Sequence, residues 1–430
     1  MPVHRGPGGK HGRVFASRAE ISRWLSKQTD NDTEGEAKQS PKGLRRWKWI
    51  AGAGLGASAF ALSAVLLFSH RLGKAPAPHV TRVTFTYNAV VAWNGSRQLW
   101  KYKFAHPIVA NGFDLNRTVD RFVRIVRLPR SDKTVVILVA PFRMEPDPNS
   151  IVETPVDCFS NRGRLLWSYV AHEKLKFGTN ELHGPWDVTT LFLSYDNGRP
   201  ELWVAEGHYR WGNALVFEID PATGRAKLRF VNTGVLYALN EVTAKGATYL
   251  LAGGFNNEYS AGILAVINEN KPFAASPQTS GTRHYCVSCP PGVPDEYFVF
   301  PRTEVNRVEG IYEDPVGTIV AAGDRAEVMK IEAEGRAAAS TIYKFRTAPS
   351  IWPISLRYDS WYDMLYRQLE KEGKIHLSLA DSPERLHPEP VDVWTPSHGW
   401  ERCNFRPPGI ASAKAVPISK APRYVLAATR

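Results

Sequence analysis

Cysteine is scarce in this chain, with four residues in 430, and their spacing excludes the usual metal and haem motifs. Cys286 and Cys289 form a C-x-x-C, but Cys158 and Cys403 stand alone, so no second pair completes a zinc ribbon. Pro290 occupies the place where a haem-attachment motif needs histidine. Enzyme signatures are missing as well: there is no G-x-S-x-G elbow, no H-E-x-x-H, no G-x-x-x-x-G-K loop and no H-x-E with a matched cysteine pair. Carboxylates such as Asp295 and Glu296 are adjacent, and neighbours on a strand point to opposite faces, which does not make a catalytic pair. The expectation is a non-catalytic protein with no metal and no cofactor.

Long apolar runs are absent but for one, Trp49 to Phe68, twenty residues without a charge, an amide or a proline. As a helix rising about 1.5 Å per residue it would cross a bilayer. Lys42, Arg45, Arg46 and Lys48 crowd its N-terminal flank, so the positive-inside rule places residues 1–48 in the cytoplasm and the body outside the inner membrane, periplasmic or extracellular. A cleaved secretory signal is the competing reading, with Ala75 and Ala77 as small residues before a cut that Pro78 would hinder. The long charged leader favours a retained anchor. Gly52 and Gly56 form a G-x-x-x-G pair through which two anchors could approach as a homodimer.

The net charge of +12 is unevenly placed. Residues 1–48 hold eleven Lys or Arg against five Asp or Glu, half of the whole surplus, so any contact with nucleic acid belongs to this head. Ser17 and Glu20 have capping-box spacing, and Ile21, Trp24 and Leu25 then share a helical face. The run PVHRGPGGKHGRVFASRAEISRWL resembles the wing hairpin and following helix of excisionase-like and MerR-like winged-helix domains. That resemblance implies DNA-phosphate contacts from Arg5, Lys10, Arg13 and Arg18, although the helices that should precede a wing have no place after Met1. Residues 29–47 read as a flexible linker and 70–81 as an Ala-Pro spacer.

From residue 82 to 430 short strands alternate with turns, the pattern of antiparallel hairpins, so the fold class is mainly β. GSRQLWKYKF, RGRLLWSYV and TGRAKLRFVNTG share a turn glycine, an arginine and an aromatic or aliphatic strand. They resemble the blade-edge hairpins of PQQ-like and WD-type β-propellers, which implies a propeller-like body of about seven or eight blades; paired β-sandwiches are the alternative. GRLLWSYVAHEKLKFG, LLAGGFNNEY and SPQTSGTRHYCVSCPPG also resemble uncharacterised single-span bacterial membrane proteins, a likeness that implies no activity. One helix is expected over 359–371, with Trp361, Met364, Leu365 and Leu369 as its buried stripe and Gly373 as its stop.

Two segments, HGPWDV and EGHYRWGN, gather polar and aromatic residues between strands, and His183, Trp186, His208, Arg210 and Trp211 are the ligand-binding candidates. Glu258 in AGGFNNEY is expected to anchor backbone. Cys286 and Cys289 are expected in a structural disulfide, with each other or with Cys158 or Cys403. The reading is a single-pass membrane protein whose exported domain binds a partner or ligand. The alternatives are a membrane-tethered transcription regulator with a DNA-binding head, and a periplasmic quinoprotein-like enzyme.

Overall fold

The structure is a computed structural model and describes residues 4–5, 14–15, 79–105, 122–129, 134–139, 154–210, 212–309, 313–333, 339–348, 350–405 and 416–418. The expected anchor Trp49 to Phe68 with Gly52 and Gly56, the linker, and Lys10, Arg13 and Arg18 lie outside the described residues. Among the described residues no helix is long and apolar enough to cross a membrane. The chain divides into two units, Met1–Gly73 and Lys74–Arg430. In the first, β1 (His4–Arg5) pairs antiparallel with β2 (Val14–Phe15), His4 opposite Phe15.

The second unit is mainly β, and its described strands form five antiparallel meanders in chain order. Sheet one holds β3 (Arg82–Thr86), β4 (Ala89–Asn94) and β5 (Arg97–Lys103). Sheet two holds β6 (Val123–Arg127), β7 (Thr134–Val139), β8 (Val156–Ser160) and β9 (Leu165–Tyr169). A separate hairpin, β10 (Lys174–Phe177) and β11 (Asn180–His183), precedes sheet three. That sheet runs β12 (Trp186–Asp196), β13 (Arg199–His208), β14 (Ala214–Ile219) and β15 (Ala226–Asn232). Sheet four contains β16 (Leu236–Ala244), β17 (Ala247–Asn256) and β18 (Ala261–Asn268). The short β19 (Ala274–Ala275) returns to pair parallel with β15, and β20 (Glu296–Val299) joins sheet four beside β18. Sheet five is β21 (Val316–Ala322), β22 (Arg325–Ile331), β23 (Ser340–Arg346) and β24 (Trp352–Tyr358). Sheet four is then extended by β25 (Val391–Thr395), β26 (Gly399–Cys403) and β27 (Val416–Pro417).

The period of two along a strand explains how these sheets stack. In β7 every residue is buried: Val136 and Leu138 pack toward sheet one, while Val135, Ile137 and Val139 pack toward sheet three. In β13 Leu202 and Val204 face sheet two, whereas Trp203 and Ala205 face sheet four. In β18 Ile263 and Ala265 join the sheet-three side, and Leu264 and Val266 the sheet-five side. Each successive pair of sheets therefore shares one apolar cluster. Strands covered on both faces read as continuous apolar runs, which is why TVVILV and GILAVI lack alternation.

Polar bonds join the first strands of neighbouring sheets. The Arg124 guanidinium donates to the Leu191 carbonyl, the Thr189 hydroxyl to the Leu236 carbonyl, and the Asn240 amide to the Ile319 carbonyl at 2.9 Å. At the other edge, the three similar hairpins interlock through two contacts. A Cβ on Gly163 would lie 2.8 Å from the Trp100 ring of the previous sheet, and one on Gly224 would lie 2.7 Å from Trp167. Both glycines also hold positive φ, 76° and 73°. Leu228 stands at the corresponding place of the third hairpin.

Sheet five is tied to sheet four by an ion cluster at zero exposure. Lys330 Nζ contacts an Asp314 oxygen at 2.6 Å and the Glu332 carboxylate at 3.0 Å. Glu332 also accepts from the Thr303 hydroxyl at 2.9 Å and from the Thr341 hydroxyl, and the Gly262 amide donates to Asp314 at 3.1 Å. Burial works against the Lys330 ammonium, but the two carboxylates outweigh it and hold its pKa above the ordinary lysine value.

The helices lie on this side: α1 (Glu304–Glu309), α2 (Ser360–Lys371) and α3 (Pro383–Leu386). Asp359 caps α2 by accepting from the Tyr362 amide at 2.7 Å. The buried stripe differs from expectation. Tyr362, Tyr366 and Leu369 face inward with Leu365 partly covered, and Trp361 and Met364 are about half exposed. The tyrosines win the inner face because their hydroxyls find carboxylates, Tyr362 on Glu384 and Tyr366 on Glu304 at 3.0 Å.

The cysteines resolve into one bridge and two thiols. Cys286 and Cys289 are disulfide-bonded to each other. Cys158 and Cys403, both disulfide candidates from the sequence, are free and buried. They cannot meet, because Cys158 packs between sheets two and three and Cys403 between sheets four and five.

Three carboxyls, Asp314 buried and Glu269 and Glu296 half-buried, give the fold a pH dependence. Burial, reinforced by Glu241 and Glu201, pushes Glu269 up to about 7. Burial lifts Glu296 to about 7 despite Lys245, and Asp314 to about 6 despite Lys330. A folded-state pKa above the unfolded value means that the folded state holds the proton more tightly, so stability is lost as pH rises through the folded pKa. The apparent melting temperature is expected to fall between pH 5 and pH 8, by several degrees if these groups together contribute about 1–2 kcal/mol. Replacing Glu269 and Glu296 by glutamine should flatten that slope. A melting temperature that rises across this window in the wild type would contradict the assignment.

Candidate functional site

The site begins with the loop that joins β13 to β14. The His208 amide donates to the Asn213 carbonyl at 2.7 Å and the Gly212 amide to the His208 carbonyl at 3.0 Å, which brings the two ends of the loop together in a tight turn. His208 Nδ1 accepts from the Arg210 amide at 3.2 Å, and the same ring bonds the backbone of His183. Both ring nitrogens are thus engaged in fixing backbone, in the neutral form. Burial holds the His208 pKa below its ordinary value, helped by the charges of His183 and Arg210.

A second wall comes from chain that the meanders do not use. The β10–β11 hairpin is clamped by the loop between β19 and β20, where Phe177 pairs with Cys286 as an isolated antiparallel bridge. The Gly178 amide donates to the Tyr285 carbonyl at 2.8 Å, the Val287 amide to the Lys176 carbonyl at 2.7 Å, and the Lys176 amide to the Ser288 hydroxyl at 2.8 Å. Within the loop the Cys286 amide donates to Gln278 at 2.7 Å, and the disulfide closes the turn three residues on. Glu258 accepts from the Thr279 amide at 3.1 Å, which is the backbone anchoring expected of AGGFNNEY. Asn256 in the same motif is fully buried and bonds the Tyr297 hydroxyl at 2.7 Å.

These segments enclose a cleft of about 700 Å³ where the first strands of sheets three and four begin. Asp187 and Thr189 of β12, Val235 and Tyr237 at the start of β16, and Asn180 and Leu182 of the hairpin line it. Arg210 enters from the tight turn, and Arg283 with His284 from the disulfide loop. The Arg283 Nε donates to His284 Nε2 at 3.1 Å, so that nitrogen is an acceptor without a proton. Asp187 accepts from the Thr154 hydroxyl at 3.3 Å, and burial raises its pKa. Glu313 completes the acidic side.

The structure sorts the five sequence candidates. Arg210 and His208 line the cleft, His208 as a support for the turn that carries Arg210. Trp186 is 1% exposed, with its indole N–H donated to the Glu173 carbonyl and its ring edge-on to His208 at 5.1 Å, so it belongs to the core and does not line the cleft. His183 ends β11 with its side chain exposed, outside the cleft. Trp211 lies outside the described residues. Sequence reasoning missed Arg283 and His284, although only Tyr285 separates them from the C-x-x-C that it singled out; the signal was a basic pair on a loop about to be clamped.

Among the described residues no group of three or more His, Cys, Asp or Glu is arranged to hold a metal ion. Next to the site, Glu206 is 1% exposed with one oxygen unbonded, and burial, with Glu173 and Asp187 adding to it, drives its pKa well above the ordinary carboxylate range.

No family model matches the chain, and no curated protein matches it. Among solved structures, the chain is similar to the crystal structure of polysaccharide lyase Uly1, at 8% identity over 78% of this chain and 88% of that one, with a TM-score of 0.28. A likeness at that level carries neither fold nor function across.

Proposed function

We propose that the body is a propeller-like, non-catalytic binding domain, carried outside the membrane by the Trp49–Phe68 anchor, whose ligand enters the cleft between sheets three and four. The observation that carries this reading is the construction of the cleft. Its outer wall is built by the β10–β11 hairpin and the disulfide loop, neither of which any meander requires, and a disulfide suits an oxidising compartment. A cleft of about 700 Å³ falls within the size range of small-ligand sites, and its mixed aromatic and polar lining is of the kind that orients them. Propeller-like stacking is supported by the shared clusters between successive sheets and by the bonds between their first strands. About seven or eight blades were expected from the propeller resemblance and the length of the body. Five meanders are described, and the β10–β11 hairpin, the disulfide loop and the α2–α3 segment lie outside them.

The test is a thermal-shift screen of the full chain in detergent against a library of small metabolites, beside the variant Gly207→Leu. Gly207 lines the cleft, and a Cβ there would meet Thr189 and Val235 methyls at 3.4 Å, so a larger side chain must project into the ligand space. Ligands that stabilise the wild type by several degrees should leave the variant unmoved. Ligands that stabilise both equally would place binding elsewhere and end the reading.

A further inference from the structure

The cleft collects two guanidinium groups from two independent parts of the chain. Arg210 comes from the β13–β14 turn, braced by His208, and Arg283 from the disulfide loop, braced against His284 and by the backbone bonds to β10. Both backbones are fixed before any ligand arrives, so only the two side chains remain to be ordered on binding. Among the described residues neither guanidinium forms a salt bridge, although the body contains several arginine–carboxylate pairs elsewhere. The Arg283 Nε–H is spent on His284, but its two terminal nitrogens still present a fork of donors.

The acidic groups of the cleft do not cancel this. Asp187 already accepts a hydrogen bond from the Thr154 hydroxyl at 3.3 Å, and burial raises its pKa. Glu313 is the second carboxylate of the lining, against two permanently charged arginines. Around the pair, Asn180, Asn213 and Tyr209 add polar and aromatic surface suited to hydroxyl groups and a ring face. Inorganic sulfate or phosphate alone would fill only a small part of about 700 Å³.

Taking the cleft as the binding site proposed above, we infer that its ligand is an organic oxyanion: a hydroxylated small molecule carrying a carboxylate, sulfate or phosphate that Arg210 and Arg283 grip together. The planar forks of both residues match the oxygen geometry of such groups, and lysine would not replace either one.

The experiment is isothermal titration of the full chain in detergent with glucuronate, glucose 6-sulfate, glucose 6-phosphate, neutral glucose and inorganic sulfate. At least one organic anion should bind saturably below about 1 mM, and Arg210→Ala and Arg283→Ala should each weaken it about tenfold or more. Arg283→Lys should recover only part of the loss. Glucose should bind far more weakly, as should sulfate alone. Glucose binding as tightly as its anions, with the arginine variants unaffected, would overturn the oxyanion inference while leaving the cleft as the site. Anion binding that persists in Gly207→Leu would overturn both. No saturable binding of any organic anion up to about 10 mM would overturn the inference, and the metabolite screen alone would then decide whether the cleft binds anything.

Discussion

Replacing Lys330 by alanine should destabilise the body by about 3–5 kcal/mol, the range found when one partner of a buried ion cluster is removed. The ammonium sits at zero exposure in contact with both Asp314 and Glu332, and Arg302 also favours the Asp314 charge. Deleting it leaves two carboxylates facing each other out of water. One or both must take up a proton, or the strands must part to admit solvent. Since Glu332 also orders Thr303, whose hydroxyl accepts from the Asn306 amide at 3.2 Å at the start of α1, the damage should spread to the helical layer. Urea unfolding followed by tryptophan fluorescence measures the loss. Lys330→Met combined with Asp314→Asn and Glu332→Gln should recover part of it, because neutral partners no longer demand a cation. A single-variant loss below about 1 kcal/mol would mean that the carboxylates are hydrated and the cluster is not sealed.

Gly254→Ala should cost about 3 kcal/mol or more, at the upper end of overpacking effects. An added Cβ would lie 2.1 Å from the Val235 carbonyl oxygen and 2.7 Å from the Leu236 Cα. From the other side, a Cβ on Gly234 would lie 2.0 Å from the Phe255 oxygen. Two backbones touch here, bonded by the Phe255 amide to the Val235 carbonyl at 2.8 Å, and backbone cannot turn aside as a flexible side chain does. Because Val235 and Tyr237 line the cleft, the same displacement should weaken ligand binding beyond the loss of stability. The variant's unfolding midpoint is the direct measurement. A midpoint equal to the wild type would mean that β16 and β17 separate at that point at no cost.

Much of the sheet structure could be read from the sequence, and the reasons are local. Turn glycines at 95, 163 and 224 announced three hairpins, and the aromatic position after two of them is the tryptophan that covers the next glycine. Other features depend on partners distant in sequence. The turn at Tyr87 and Asn88 splits an apolar stretch without a glycine or proline to mark it. Tyr362 and Tyr366 displaced Trp361 and Met364 from the inner face of α2 because Glu384 and Glu304 arrive from elsewhere to bond their hydroxyls. Helical periodicity ranks side chains by apolarity and cannot see such partners. The cleft was half legible for the same reason. EGHYRWGN marked one wall, with Arg210 in place, but the meeting of Arg283 with that wall is set by the pairing of Phe177 with Cys286, 109 positions apart in the chain.

The two unpaired cysteines give the body a built-in pair of clocks. Burial lifts the Cys158 thiol to about 12 and the Cys403 thiol higher still, so neither reacts appreciably while its surroundings stay closed. Each lies in a different apolar layer, one between sheets two and three and the other between sheets four and five. The rate at which each is alkylated under native conditions therefore reports how often that particular layer opens. The chain carries, without any engineering, separate reporters for its two halves.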